Sequence, residues 1–389
     1  MEKVRLGIIG AGNMGSGHIN NYLKGLLPEI EITAVADRKA ERREWAKGAL
    51  GEGVALYEEG SELIANGPVD AILIAVPHYQ HPGLAIEGFH HGKHVMCEKP
   101  AGVYTKQVRQ MNAEADKCDR VFGMMFNQRT NCVYRKIKEM IDAGELGQLK
   151  RVNWIITDWY RTQFYYDSGA WRATWDGEGG GVLLNQCPHQ LDLVQWLCGM
   201  PVRVRAFLHE GKWHDIEVED DVTAYMEYAN GATGVFITTT GDAPGTNRLE
   251  ISGEMGKIVC ENDEITFFKN AVSDREFSKT SQEGFEKPAC EKIKVETDGR
   301  NLQHVDVLNA FAGAILRGEK LVADGREGIN GLTLSNAMHL SAFLGRKVTL
   351  PIDEDLYFEE LMKRVATSRR KATGRTVFAD TKDTYAGAK

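Results

Sequence analysis

The feature that most constrains the fold is a glycine-rich segment, Gly10-Ala11-Gly12-Asn13-Met14-Gly15, which follows the apolar run Val4 to Ile9. Three glycines at this spacing let a strand turn tightly into a helix, and they let backbone N–H groups approach a pyrophosphate. A second apolar run, Ile30 to Ala36, ends at Asp37, the position from which a carboxylate binds the ribose 2′-hydroxyl of NAD. This succession predicts a dinucleotide-binding site.

Two neighbouring residues bear on the choice of cofactor. Asp37 disfavours NADP because its carboxylate repels a 2′-phosphate, whereas Arg38, the next residue, could bind that phosphate. Since the acid stands at the ribose position itself, we expect NAD, with NADP as the alternative.

Residues 1–125 alternate between short apolar runs and helix-like segments. The most apolar run, Val69 to Val76, is stopped by Pro77 and resembles a parallel strand covered on both faces. A helix is expected to begin at a cap on Ser61. The alternation predicts a Rossmann domain, a doubly wound parallel sheet whose ligand lies at the carboxyl ends of the strands.

The pattern changes in residues 126–353, where longer strands are joined by turns. Val222–Tyr228 and Thr233–Thr240 flank Asn230-Gly231, and a second hairpin is centred on Glu254-Met255-Gly256. We therefore predict an α+β domain for substrate binding and oligomerisation, built on an open, mostly antiparallel sheet with helices on one face. The other face must be covered, and a partner subunit is the usual solution.

Helices at about Asn301 to Arg317 and Leu332 to Leu344 are expected to close that domain. Residues 354–389 form a charged C-terminal extension with a predicted helical stretch, Asp355 to Ala366.

Composition excludes several classes of function. The formal net charge of −8 argues against general binding to nucleic acid or to an anionic membrane. The chain begins with Met1-Glu2-Lys3 and enters a strand at once, so we expect no signal peptide, and no apolar run could span a bilayer.

Scattered cysteines fit reduced thiols in a cytoplasmic protein. The cluster of His90, His91, His94 and Cys97 matches no standard ligand spacing, so no metal is expected.

Two further stretches carry a resemblance to a known family. They are Cys97-Glu98-Lys99-Pro100 and the segment Gly179 to Asp192, which reads GGGVLLNQCPHQLD. With the glycine-rich segment, they resemble the glucose-fructose oxidoreductase / inositol dehydrogenase / rhizopine-catabolism (Gfo/Idh/MocA) family over residues 1 to about 351. The resemblance implies a Rossmann domain, an α+β domain with an open sheet, NAD(P), sugar or polyol substrates, and dimers or tetramers built through that sheet.

Hydride transfer from a carbinol needs a base for the hydroxyl proton and a cationic or hydrogen-bonding group on the oxygen. Lys99, at a strand end, suits the second role, and it is catalytic in the family; the alternative is a solvated surface lysine. His189 is the candidate base because its ordinary pKa lies near neutrality, and the alternative is a core histidine. Asn185, four residues earlier, could share a helix face with His189, although Pro188 would start or kink that helix.

Many family members have Asp where this chain has Asn185. An asparagine cannot accept a proton, so it can only orient His189 or bind a substrate hydroxyl. Asp192 is expected to be structural. By resemblance, Pro77, His78, His81 and Glu98 are expected beside the cofactor, although an exposed loop histidine is equally plausible for His81. Arg129 is expected near the active cleft or, alternatively, in a surface ion pair.

The segment Trp154 to Trp175 is rich in aromatic residues. Aromatic faces pack on sugar rings and arginines bind hydroxyls, but core or subunit-interface packing explains such a segment equally well. Tyr160, Trp171 and Arg172 are the candidates for substrate binding.

These observations predict an NAD-dependent dehydrogenase that oxidises a secondary hydroxyl of a sugar, glycoside or cyclic polyol. Gln186-Cys187-Pro188 weakly resembles relatives that oxidise C3 of glucosides. One alternative is a glycoside hydrolase or lyase that works through transient oxidation and elimination. The other is a non-catalytic sugar sensor, for which loss of Lys99 or His189 is expected, and both are present.

Overall fold

The computed structural model describes residues 3–369 and contains two sheets. The first is a six-stranded sheet in the order β3-β2-β1-β4-β5-β6, in which every pair is parallel. Its strands are β1 (Val4–Ile9), β2 (Ile30–Ala36), β3 (Ala55–Tyr57), β4 (Ala71–Ile74), β5 (His94–Cys97) and β6 (Phe122–Met124). This order confirms the predicted doubly wound sheet.

Helices connect these strands and cover both faces of the sheet. They are α1 (Asn13–Leu23), α2 (Ala40–Leu50), α3 (Gly60–Asn66), α4 (His81–His90) and α5 (Thr105–Ala115), and α6 (Cys132–Asp142) follows the sheet. The predicted cap at Ser61 is wrong, because Glu59 occupies the N-cap of α3 and the Ser61 hydroxyl donates to Glu87 at 2.6 Å.

The second sheet has nine strands in the order β14-β13-β12-β11-β7-β10-β9-β8-β15. One pair, β7 with β10, is parallel and the remaining pairs are antiparallel, as expected for a mostly antiparallel sheet. Its strands are β7 (Leu149–Ile156), β8 (Arg203–Glu210), β9 (Glu219–Glu227), β10 (Thr233–Thr239), β11 (Asn247–Gly253), β12 (Gly256–Glu261), β13 (Glu264–Asn270), β14 (Cys290–Val295) and β15 (Val348–Thr349).

The second half of the chain contributes the helices α7 (Gln163–Asp167), α8 (Pro188–Cys198), α9 (Asp274–Thr280), α10 (His304–Arg317), α11 (Gly328–Phe343) and α12 (Glu354–Val365). Helix α10 differs from expectation, since Leu308 and Phe311 pack in one buried cluster with Leu6 and Ile8 of β1. The apolar face of α10 therefore covers the parallel sheet and does not close the second domain. The division of the chain at residues 125 and 353 stays a prediction.

The predicted C-terminal extension begins with a docked helix. Tyr357 and Leu361 of α12 are fully buried in the core, and Arg109 of α5 pairs with Glu354 at 2.7 Å. Residues 370–389 of the extension lie outside the described part of the chain. Within residues 3–369, no helix has both the length and the apolar character needed to cross a bilayer.

Candidate active site

The glycine-rich turn after β1 has the backbone that close approach of a ligand requires. Gly10 adopts φ +94°, and a Cβ on Gly15 would lie 1.8 Å from the Gly10 carbonyl oxygen, so α1 packs directly on the turn. Gly12, at the N-cap of α1, has no side-chain cap, and a Cβ there would have no atom within 4 Å. The first N–H groups of α1 are thus available at the positive end of the helix, which fits a dinucleotide pyrophosphate.

Asp37 follows β2 beside this turn. Its Oδ2 accepts a hydrogen bond from the Ala11 N–H at 2.8 Å, and its Oδ1 accepts one from the Lys39 N–H at 2.9 Å. The remaining lone pairs of the carboxylate can accept from ribose hydroxyls. Arg38 is 70% exposed and pairs with Glu59 at 3.0 Å.

Glu98, at the carboxyl end of β5, is only 3% exposed, and its Oε1 lies 2.8 Å from Nε2 of His18 on α1. The His18 ring in turn lies edge-on to His304 of α10, with centroids 5.5 Å apart. Burial raises the pKa of Glu98, but His18, His304 and Lys99 outweigh it, so the pKa lies below its ordinary value. Glu98 is therefore an ionised group that joins β5 to α1.

Lys99 extends from the same strand end to the segment before α8. Its Nζ donates a hydrogen bond to the Asn185 carbonyl oxygen at 3.0 Å. Asn185 is the one partly exposed residue within 182–190, and Lys99 is also partly exposed. Burial lowers the pKa of Lys99, against the opposing effect of Glu98 and Glu178. The two sequence motifs thus meet at the carboxyl edge of the parallel sheet.

The turn that carries Asn185 is held by a buried carboxylate of β9. Glu219 accepts hydrogen bonds from the Gly181 N–H at 2.8 Å and from the Leu183 N–H at 3.0 Å. Helix α8 begins at Pro188, where the missing N–H costs no helical hydrogen bond. Asn185 therefore precedes the helix, and the prediction that it shares a helix face with His189 is wrong.

His189 lies in the first turn of α8 and is 1% exposed. Burial lowers its pKa well below the ordinary value, and the neighbouring Lys99 and His304 lower it further. Burial also lowers the pKa of His304, to about 4. His189 is therefore a neutral imidazole at physiological pH, which is the form that can accept a proton.

A second buried glutamate, Glu178, contacts the Asn185 side chain. Its Oε1 accepts a hydrogen bond from Asn185 Nδ2, and its Oε2 accepts one from the Ala173 N–H at 2.6 Å. Burial raises the pKa of Glu178 to about 6, although the nearby Arg172 acts in the opposite direction. The site thus contains a carboxyl group that titrates close to neutrality.

An aromatic wall borders this group. The Arg172 guanidinium lies 4.6 Å from the Tyr165 ring centroid and 4.8 Å from that of Trp171. His78 lies edge-on to Trp171 at 5.8 Å, and its Nδ1 is 3.3 Å from the Glu178 carbonyl oxygen. Partly exposed aromatic faces beside an arginine can pack on the C–H face of a ring and bind its hydroxyls.

Comparison with known proteins agrees with this geometry. A model of an oxidoreductase family with an NAD-binding Rossmann fold matches residues 4–126, and a model of the GFO/IDH/MocA C-terminal domain matches residues 134–259. The chain belongs to the GFO/IDH/MocA family. The trans-1,2-dihydrobenzene-1,2-diol dehydrogenase of Bos taurus is 30% identical to it over 65% of this chain and 72% of that protein.

Two further relatives of this GFO/IDH/MocA protein are informative. The myo-inositol 2-dehydrogenase of Thermotoga maritima is 28% identical over 67% of this chain and 75% of that protein. The WlbA dehydrogenase of Bordetella pertussis, solved in complex with NADH and UDP-GlcNAcA, aligns with a TM-score of 0.75 and 26% identity over 90% of this chain and 100% of that one. The chain is thus an NAD-binding oxidoreductase, as the sequence predicts.

Some residues of this family member that were predicted to lie in the site hold neighbouring loops together. His81 is buried, and its ring nitrogens lie 2.7 Å from the carbonyl oxygens of Pro100 and Val76. These contacts tie the loop after β5 to the loop after β4. Pro77 directly precedes a short 3-10 turn that begins at His78.

Arg129, predicted to bind substrate or to form a surface ion pair, instead forms an ion pair in which it is buried. Two of its guanidinium nitrogens bind Asp192 at 2.7 and 2.8 Å, and a third binds Glu327 at 2.7 Å. These contacts favour a structural role that joins α8 to the start of α11, and Asp192 is structural as expected.

The aromatic segment is partly buried and partly exposed, and its role in substrate binding stays a prediction. Trp154 and Trp175 are buried in the core, whereas Trp171 lies beside the cleft, and Tyr160 is about half exposed.

Sequence reasoning missed His18, Glu178 and His304. His18 and His304 come from helices distant in sequence, and no spacing links them to Glu98. Glu178 directly precedes the glycine segment, and an acidic residue at that position was the only signal available.

Proposed function

We propose that the protein oxidises a secondary hydroxyl of a sugar, glycoside or cyclic polyol with NAD as the hydride acceptor. The observation that carries the proposal is the hydrogen bond from Lys99 Nζ to the Asn185 carbonyl oxygen. This bond joins the segment Cys97 to Pro100 to the segment Gly179 to Asp192 at the carboxyl edge of the parallel sheet, where the glycine turn also lies. Ligands of doubly wound sheets bind at this edge.

The relatives support the class of substrate. One is named for a cyclic 1,2-diol, one for myo-inositol, and the third was solved with a sugar nucleotide. Each of these compounds contains a ring with hydroxyl groups on neighbouring carbons. The cleft's pairing of Arg172 with the rings of Tyr165 and Trp171 suits such a molecule.

The side chains divide the chemistry between them. Bound NAD supplies the acceptor for the hydride. His189, neutral because it is buried beside a cation, takes the hydroxyl proton, and Lys99 donates a hydrogen bond to the oxygen as negative charge develops there. Asn185 binds the substrate. Glycine-turn amides and Asp37 hold the dinucleotide, and Glu98 keeps the strand end beside α1.

The contacts of Asp37 and Arg38 support NAD over NADP. The Asp37 carboxylate is held beside the glycine turn by two backbone N–H groups, whereas Arg38 is engaged with Glu59 at the surface. We expect at least tenfold tighter binding of NADH than of NADPH, measured by quenching of protein fluorescence, since a 2′-phosphate would meet the carboxylate (about 1.4 kcal/mol per tenfold).

The direct test is a screen of the purified protein with NAD⁺ against cyclic polyols, free sugars and glycosides, read as absorbance of the reduced nicotinamide. In His189→Ala, kcat should fall by roughly 10²–10⁴-fold on any substrate found, while NADH binding persists. Release of an aglycone without net NADH would instead support the hydrolase or lyase alternative. Turnover of His189→Ala within a few-fold of the wild type would contradict the assigned base.

We further propose that a second copy covers the outer face of the nine-stranded sheet. Phe207, Tyr225 and Ile155 are 55%, 40% and 36% exposed, and they lie on the face opposite the core. Exposed apolar residues on a flat sheet indicate an interface. Light scattering should show an oligomer that Phe207→Asp with Tyr225→Asp dissociates, whereas the loop variant Phe285→Asp should leave it intact.

A further inference from the structure

The mechanism above gives no role to Glu178, a buried ionisable group within the site. The residue is 2% exposed, and its described hydrogen bonds come from two neutral donors, the Ala173 N–H and the Asn185 amide. Burying a carboxylate against neutral donors costs stability, because the lost hydration of the charge is only partly replaced. A group kept at such a cost beside a cleft is a candidate for function.

The contact with Glu178 fixes which way the Asn185 amide faces. A carboxylate only accepts hydrogen bonds, so the amide NH₂ must face Glu178, and Oδ1 must face away from it. The backbone carbonyl of the same asparagine accepts from Lys99 Nζ at 3.0 Å. Glu178, Asn185 and Lys99 therefore form a continuous chain of contacts, in which Glu178 is buried and both Asn185 and Lys99 are partly exposed.

We propose that Glu178 is a positioning residue: its carboxylate holds the Asn185 amide so that Oδ1 accepts a hydrogen bond from a substrate hydroxyl next to the one that Lys99 binds. The proposal rests on the proposed function, and it narrows the substrate class to alcohols with hydroxyl groups on neighbouring carbons. The neighbouring hydroxyl is the donor that Asn185 Oδ1 requires.

The charge of Glu178 sets the pH range in which this arrangement holds. Burial is the main cause that raises its pKa to about 6, Arg172 and the two N–H donors oppose it, and Glu219 adds to it. Lys99 and the Tyr166 hydroxyl also face this carboxylate. Protonation places a hydroxyl on one oxygen, which competes with the N–H donors and releases the amide. Activity should therefore fall as the pH falls through about 6.

The first experiment compares pH profiles of kcat/KM for the wild type, Glu178→Gln and Glu178→Asp. In the wild type, kcat/KM should fall by roughly 10- to 100-fold as the pH falls through about 6, and it should then level off when Glu178 is fully protonated. Glu178→Gln should lose this acid limb, and its kcat/KM should be roughly 10- to 100-fold below that of the wild type. The reduction is expected because the NH₂ group of the glutamine would face one of the two N–H donors that bind Glu178. Glu178→Asp should recover part of the activity and keep the limb.

Glu219→Gln is the matched control. Glu219 is also buried and also accepts two N–H groups of the same turn, but neither bond involves the Asn185 side chain. Glu219→Gln should lower thermal stability and keep an acid limb, shifted to somewhat lower pH because a negative charge near Glu178 is removed. Loss of the limb in both variants would show that the limb reports the fold of the turn, and this would overturn the role of Glu178.

A second measurement does not depend on turnover. In protein labelled with ¹⁵N-asparagine, the side-chain resonance absent from Asn185→Ser belongs to Asn185. It should shift with a midpoint near pH 6 in the wild type and should not shift in Glu178→Gln. Absence of this shift in the wild type overturns the proposal. A shift in a protein that oxidises no alcohol supports the coupling and refutes the proposed dehydrogenation, so the two failures are distinguishable.

Discussion

Two buried glutamates face Lys99, and their ionisation is shifted in opposite directions. Glu98 and Glu178 are 3% and 2% exposed, so burial alone would raise the pKa of both. Next to Glu98 lies the imidazole of His18, and the pKa of Glu98 falls below its ordinary value. Glu178 is bound by amide N–H groups, and its pKa rises to about 6.

The comparison shows that two carboxyl groups buried to the same depth have pKa values on opposite sides of the ordinary value, because their neighbours offset the cost of burial to different extents. Glu98 is ionised at neutral pH beside Lys99, whereas Glu178 loses its charge as the pH falls through about 6. Of the two carboxylates near Lys99, the charge of Glu98 is thus constant across neutral pH, whereas the charge of Glu178 changes with pH.

Removing the cation that both glutamates face should have the largest effect. We expect Lys99→Met to lower kcat by roughly 10²–10⁴-fold, because the developing charge on the substrate oxygen loses its hydrogen-bond donor. Steady-state oxidation of the best substrate from the screen measures it. Lys106→Met, which removes an exposed lysine paired with Asp355, is the control and should retain full activity. Turnover of Lys99→Met within a few-fold of the wild type would contradict the assignment.

Arg129 provides a third case, a buried guanidinium bound by two carboxylates, Asp192 and Glu327. Arg129→Gln should lower the free energy of unfolding by about 3–5 kcal/mol, because Asp192 stays buried without its cation. Urea unfolding measures this loss. The exposed pair of Arg135 with Asp298 is the control, and Arg135→Gln should cost less than about 1 kcal/mol.

The kinetics of Arg129→Gln decide between the two roles considered for this arginine. A structural role requires that kcat/KM per folded molecule stays within a few-fold of the wild type. A large rise in KM with unchanged stability would instead favour substrate binding.

The sequence predicted the parallel sheet well because its signals are local: an apolar run, a glycine turn and an acid after the next strand. The position of α10 could not be predicted, since an apolar helix face does not show which sheet it covers. Lys99 and His189 could be proposed from the sequence because each stands in a recognisable motif, and their roles stay predictions. His18 could not be proposed because its role arises from a contact with Glu98, which is distant in the chain. Glu178 could not be proposed because its role depends on the direction in which a turn places its side chain.

Glu98→Gln should have a smaller effect on stability than the loss of Arg129. We expect a loss of about 1.5–3 kcal/mol at neutral pH, the range for a hydrogen bond to a charged group. Because the folded pKa of Glu98 is depressed, this contribution is present above the ordinary pKa of 4.5 and is lost as the pH falls below it. Urea unfolding at pH values on both sides of 4.5 measures it. A stability loss that grows toward low pH would contradict the assigned sign.

Glu178→Gln should show the opposite sign in the same measurement. The folded pKa of about 6 exceeds the ordinary value of 4.5, so the native wild type binds more protons than the unfolded chain in that interval. Wild-type stability from this group therefore falls as the pH rises from 4.5 to 6, by about 2 kcal/mol in total. Glu178→Gln has no such group, so its stability relative to the wild type should improve by that amount across the interval. Parallel stability curves for the two proteins would mean that the pKa of Glu178 is the same in the folded and the unfolded chain, and the contrast with Glu98 would then be lost.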